Sequence, residues 1–365
     1  MPVVRLAMRH IRSVRIMKNE GKRRVLDLLC LVGSHKSSKK QYCVKSAQDV
    51  FLTIKPSYYK LNSDKRQYPF EKNLKGNLDM YRFPIGVIID SFRTDTKTAV
   101  LKAKALGANG IQMYSTKGEN SPENLTPSKR KELLDFVKSN GLCFSALCGD
   151  LGEGFFRPER NPILIEKSKR ILDLAKELET DIVTTHIGVV PADESHERYK
   201  IMQEACYELS RYADSIGSHF AIETGPEKSA TLKKFLDSLG SKGVAVNLDP
   251  ANLVMVTGDD PVEAVYNLKD YIVHTHAKDG VKLTACDPEV VYAVTKLPED
   301  IVESEDDPFR EMPLGKGSVP YPAYLKALDE VGFRGFLTIE REVGADPSAD
   351  VFTAKEFLLN VMKNN

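Results

Sequence analysis

Residues 218–249 read SHFAIETGPEKSATLKKFLDSLGSKGVAVNLD. The stretch opens on 218–223, a short run of apolar and aromatic residues with the length of a strand. Between Ser229 and Leu239, apolar residues recur three and four apart, the spacing of one helical face. A second strand-like run, 243–249, follows. Strand, helix and strand in that order make a parallel pair, because a return to the same end of a sheet needs a long crossover. Both strand-like runs end on a carboxylate, Glu223 and Asp249.

The same unit repeats outward in both directions. Strand-like runs precede it at 85–90, 110–114, 142–148 and 181–186, and follow it at 271–276 and 335–340. Helical spacing falls at 96–106, 127–139, 163–178, 197–215, 261–268, 321–331 and 351–363. Thr126 and Pro127 stand where an N-cap and a first helical residue belong. Eight strand–helix units in about 283 residues predict an α/β fold, a closed (β/α)8 barrel spanning residues 81–365. An open doubly wound sheet would show a Gly-rich phosphate loop after its first strand, which here ends IIDSFR.

Residues 1–80 read differently. Residues 1–82 hold 19 Lys and Arg against 6 Asp and Glu, and the rest of the chain 33 against 45, so the net charge of +1 averages a basic segment with an acidic one. Three readings of 1–80 compete: a basic extension that is poorly structured and not part of the fold, a targeting or anion-binding arm, and a small folded module. On the first, a chain beginning at Met80 folds and keeps any activity. Loss of soluble protein on that truncation would exclude it. The acidity of the barrel opposes binding to a phosphate backbone, so no nucleic-acid partner is expected there. Six cysteines without a C-x-x-C pair, and no apolar run of about 18 residues, point to a reduced cytoplasmic protein without a membrane span.

In such a barrel the C-terminal ends of the strands meet around one pocket. Strand five ends at Glu223, six at Asp249, seven at His274-Thr275-His276 and eight at Glu340. Two Glu, an Asp and a His on four successive strands suit a divalent ion such as manganese, magnesium, cobalt or zinc. His276 is nearer the strand end and is the better ligand, with His274 supporting it from below. Helix capping is the competing reading of any one of these acids, Asp249-Pro250 above all. Four in succession are harder to read as caps.

The segments AIETG, VNLDPAN, VHTHAKD, REMPLGKGSVPYPAYLKAL and LTIERE resemble the sugar phosphate isomerase/epimerase family, the xylose isomerase-like TIM barrels that include ketose 3-epimerases and inosose dehydratases. The resemblance covers residues 83–363, is strongest over the last 145, and does not reach 1–80. It implies a metal held by Glu223, Asp249, His276 and Glu340. It also implies an isomerase or epimerase of a keto sugar or sugar phosphate, in which Glu223 and Glu340 move a proton through a metal-stabilised enediolate. Asn252 stands where several relatives carry a His, which departs from the free-ketose epimerases and argues against a trinuclear site. Asn252, Arg310, His186, Lys278, Tyr114 and Glu153 are the expected substrate contacts, and Gly315 and Gly317 are expected to allow close approach to the pocket.

Three alternatives remain. A lyase could dehydrate an inosose-type ketone on the same metal site. An apurinic endonuclease would need further His and Asp ligands that strand three and Asn252 do not supply. A non-catalytic sugar-binding barrel would not need all four ligands. The long acidic connection at 280–313 could be a lid or a subunit contact of a homo-oligomer, or plain solvated surface.

Overall fold

The computed structural model describes residues 83–292 and 307–364. The expectations for residues 1–80, and for the ESEDD stretch of the acidic connection, fall largely or wholly outside them. The first four units are β1 (Ile85–Ile88), α1 (Thr96–Leu106), β2 (Gly110–Tyr114), α2 (Pro127–Ser139), β3 (Cys143–Cys148), α3 (Asn161–Glu177), β4 (Ile182–Thr185) and α4 (Glu197–Ile216). The last four are β5 (His219–Glu223), α5 (Ser229–Leu239), β6 (Val244–Leu248), α6 (Pro261–Leu268), β7 (Ile272–Ala277), α7 (Tyr321–Glu330), β8 (Leu337–Ile339) and α8 (Pro347–Asn364). All eight strands pair in parallel, in order around the cylinder, and β1 pairs with β8 to close it. This is the (β/α)8 barrel expected.

Local chemistry sets the helix starts. Asp95 accepts the Thr98 amide at 3.0 Å to cap α1, Thr126 accepts the Lys129 amide to cap α2, and Asp260 accepts the Val262 amide at 2.7 Å to cap α6. Apolar helix faces pack on the outside of the cylinder in one large core that includes Leu172, Leu209, Leu236 and Leu328. Inside, the lowest layer is small and apolar: Ala146, Ile182, Ala221 and Ala245. Above it, period-two alternation turns polar residues inward. Gln112, Thr184, Asn247 and His274 are fully buried there, beneath the strand-end carboxylates.

One feature was not anticipated. The chain leaving β7 forms a two-stranded antiparallel ribbon, Asp279–Lys282 with Phe309–Met312, beside the barrel mouth. Among the described residues, no helix is long and apolar enough to cross a membrane.

Candidate metal centre

Four side chains at the ends of β5 to β8 converge. One ligand atom each from Glu223, Asp249, His276 and Glu340 lies within 4.8 Å of the others, and all four residues are buried. His276 Nδ1 faces Glu223 Oε1 at 3.5 Å, Asp249 Oδ2 at 3.5 Å and Glu340 Oε2 at 3.2 Å. Burial disfavours a charged ring, but Glu223, Glu340 and Asp249 outweigh it and hold the His276 pKa well above its ordinary value. A spot that favours positive charge this strongly fits a cation.

The capping reading of Asp249 is half right. Its Oδ1 accepts the amides of Ala251 at 2.8 Å and Asn252 at 2.9 Å, capping the short helix Pro250–Asn252. Its Oδ2 is buried without a hydrogen-bond donor and points at the cluster. An orphaned carboxylate oxygen in a buried site is costly unless a cation completes it, so the donor set fits a divalent ion. Gln112 then fixes the imidazole. Its amide nitrogen donates to Thr184 Oγ1 at 3.0 Å, which turns its oxygen toward His276 Nε2 at 3.3 Å and His274 Nε2 at 3.0 Å. With the Nε2 proton committed to Gln112, the Nδ1 lone pair is available to the cluster. His274 thus supports His276 through Gln112.

The two glutamates are held differently. Asn252 donates to Glu223 Oε1 at 3.0 Å and Asn247 to Oε2 at 3.2 Å. Glu340 Oε2 accepts from the Lys278 ammonium at 3.1 Å. Burial alone would raise both carboxyls. Lys278 and His276 bring Glu340 well below the usual range, and His186 and His276 lower Glu223. Lys278 is itself buried and remains charged, because Glu340, Glu342 and Asp249 counter its desolvation.

Glu223, His276 and Glu340 of the cluster line a cavity at the barrel mouth, with Asp249 buried behind them. Of the expected substrate contacts, Tyr114, His186, Asn252 and Lys278 line it. Glu153 and Arg310 are not among its lining residues. Glu153 pairs with Arg160 at 2.6 and 3.0 Å. Arg310 is on the exposed side of the ribbon, and alternation sends its neighbour Glu311 inward to Arg341 at 2.6 Å. Gly315 and Gly317 pack away from the substrate space. Their amides each donate to Asp279 Oδ2 at 2.9 Å, and a Cβ on Gly317 would lie 2.1 Å from Asp279 Oδ1.

Five further residues line the cavity: Gln112, Cys148, Asp150, Tyr292 and Glu342. Glu342 lies two residues beyond Glu340, and period-two alternation carried past the strand end would have found it. Asp150, past β3, faces His186 Nδ1 at 3.3 Å. Tyr292 packs its ring 5.2 Å from that of His186, and it comes from an aperiodic stretch that carries no sequence signal.

The sequence model of the family described as "Xylose isomerase-like TIM barrel" matches residues 100–360. A xylose isomerase domain protein from Planctomyces limnophilus is 25% identical, with a TM-score of 0.64 over 77% of this chain and 97% of that one. The IOLI protein with a bound zinc atom is 16% identical, with a TM-score of 0.61 over 77% and 99%. A D-tagatose 3-epimerase-like protein is 19% identical, with a TM-score of 0.58 over 77% and 99%. The last two likenesses concern the fold alone. No curated protein sequence matches the chain.

Proposed function

The chain belongs to the xylose isomerase-like TIM barrel family, and on that premise we propose that it is a divalent-metal-dependent isomerase or epimerase of a polyhydroxy ketone. The observation that carries the reading is the buried group of Glu223, Asp249, His276 and Glu340 on the floor of an open cavity. Those four residues would hold the ion, and manganese, magnesium, cobalt and zinc all suit them. Once bound, it supplies Lewis acidity, which polarises a substrate carbonyl and acidifies the adjacent C–H.

The chain's own groups do the rest. Glu223 and Glu340 reach the cavity from β5 and β8, with β6 and β7 between them. A ketose lying between them meets a carboxylate on each side. One carboxylate takes the carbon-bound proton and the other returns a proton to the opposite face, which inverts the centre. Return from the same side to the neighbouring carbon gives 1,2-isomerisation instead. Lys278 fixes Glu340 in place, and Asn252 and Asn247 fix Glu223. Tyr114 and His186 line the cavity, which supports a role for both in meeting substrate hydroxyls.

One observation favours a second reading, dehydration. His186 Nε2 is buried, has no hydrogen-bond partner, lines the cavity, and is backed by Asp150. A protonated His186 could deliver its proton to a departing hydroxyl after the C–H proton has left, so that water is released. Solvent-deuterium exchange into a ketose panel with the manganese-loaded protein tests the first step, which both readings share. Product mass separates them, since dehydration removes one water and isomerisation leaves the mass unchanged. Glu340→Gln is expected to abolish turnover, and full turnover by that variant would exclude the two-glutamate scheme.

A further inference from the structure

Resting on the sugar-enzyme reading above, we propose that the site takes an uncharged polyhydroxy ketone and excludes its phosphate ester. The first ground is charge. The cavity is lined by the carboxylates Asp150, Glu223, Glu340 and Glu342, with Asp249 buried behind them. Among the described residues, the one ammonium or guanidinium lining it is Lys278. That cation is already answered: Glu342 Oε2 lies 2.6 Å from its Nζ, Glu340 Oε2 3.1 Å and Asp249 Oδ2 4.0 Å. A divalent ion on the floor together with Lys278 leaves the five carboxylates in excess. His186, the other lining group that can carry positive charge outside the metal cluster, stands between Asp150 Oδ2 at 3.3 Å and Glu223 Oε1 at 3.7 Å, so a phosphate dianion would enter a field of its own sign.

The second ground is independent of the first. Barrels of this architecture hold phosphate on backbone amides in the loops after the seventh and eighth strands. Here the chain after β7 does build a cluster of inward-pointing amides, but Asp279 fills it. Its Oδ2 accepts from Gly315 N and Gly317 N, both at 2.9 Å, and its Oδ1 from Gly280 N at 2.9 Å and Val319 N at 3.1 Å. The carboxylate is buried in that nest, and Gly317 has no Cβ because Asp279 Oδ1 takes its place. The loop amides after β7 are thus committed to Asp279, outside the cavity, and are not offered to a ligand.

The hydroxyls of a neutral sugar suit the same wall. Glu342 and Asp150 present acceptors to O–H donors, and such bonds to a charged acceptor are among the stronger ones. Glu342 therefore acts as the specificity-determining residue, both by accepting a hydroxyl and by neutralising Lys278.

The test is direct binding of D-fructose and D-fructose 6-phosphate to the full-length, manganese-loaded protein by calorimetry. Deuterium exchange is followed in parallel. The ester is expected to bind on the order of 100-fold or more weaker than the ketose. Glu342→Gln removes one of the three carboxylates around Lys278 and is expected to narrow that ratio about tenfold or more. Asp150→Asn, away from Lys278, serves as a second variant should the first fold poorly, and it too should narrow the ratio. Binding of the ester as tightly as the ketose, or of neither compound, overturns the proposal. Ketose binding without any exchange would instead sink the isomerase reading and leave the charge selection standing.

Discussion

Replacing Gln112 by Leu isolates the step on which the metal reading depends, the commitment of His276 Nε2–H. Gln112 is fully buried, so Leu, of similar volume, leaves little cavity. Three hydrogen bonds disappear, to His276 at 3.3 Å, His274 at 3.0 Å and Thr184 at 3.0 Å. Asn247 remains 3.2 Å from His276 Nε2 and can answer in part by turning its amide, at the loss of its own bond to Glu223 Oε2. Loss of such a support to a metal-binding His lowers metal affinity by about 10- to 100-fold, or roughly 1.4–2.7 kcal/mol. Unpaired buried groups are expected to lower global stability by about 2–4 kcal/mol as well. Chelator competition with zinc or manganese reads the first effect, and urea unfolding of the metal-free protein reads the second. Gln112→Glu supplies a stronger acceptor for the same proton and is expected to hold metal better than Leu does. If the Leu variant is folded and binds metal within twofold of wild type, Gln112 does not set the tautomer and the ligand role of Nδ1 loses its support.

Two further outcomes are expected. Glu227 is buried, accepts only the Val190 amide at 3.0 Å, and leaves Oε1 without a donor, so burial pushes its carboxyl up to about 8 from 4.5. The folded state therefore holds a proton that the unfolded state has lost between about pH 4.5 and 8, and stability falls as pH rises through that window, by up to about 4–5 kcal/mol. Glu227→Gln should remove this slope, gaining more stability over wild type at pH 9 than at pH 5 in urea titrations of metal-free protein. Equal gains at both values would mean the carboxyl is ionised throughout. Asp279→Ala strips the acceptor from four backbone amides and is expected to cost about 3–5 kcal/mol. It should also speed tryptic cleavage at the exposed Lys316, and a cleavage rate unchanged from wild type would show that the loop holds itself.

How far the sequence could be read follows from how far apart the interacting residues lie. Strand and helix bounds are local properties of period and capping. The readings at 96–106, 110–114, 127–139, 229–239 and 261–268 match the elements formed to the residue. The cluster was legible for the same reason, since alternation sets the face of each strand and closure of the barrel makes strand ends converge. What was not legible depends on side chains that meet across the barrel. Gln112 and His274 are 162 positions apart, and Arg93, which donates to the Gly344 carbonyl at 2.9 Å, is 251 positions from it. No local pattern encodes such a pairing. Arg310 shows the converse. The family resemblance made it an expected substrate contact, yet the ribbon alternates like any strand and gives the inward position to Glu311.

Asn252 lies between these cases. Its residue type argues against a further metal ligand, because an amide offers little to a transition ion. Its geometry explains what it does in place of that. The Asn252 amide nitrogen donates to Glu223 Oε1 at 3.0 Å, and its backbone N–H is one of the two that hold Asp249 Oδ1. Its Cβ, with the Tyr292 hydroxyl, fills the space in which a side chain on Gly225 would sit, 2.5 Å and 2.7 Å away. A single residue thus orients two of the four acidic and imidazole groups and closes the turn after β5. A His at this position would bring a larger ring into the space shared with Gly225 and Tyr292, and it would replace a neutral donor to Glu223 with a titratable one. The Asn is therefore better read as part of a rearranged wall, coupled to Gly225 and Tyr292, than as a ligand that was lost.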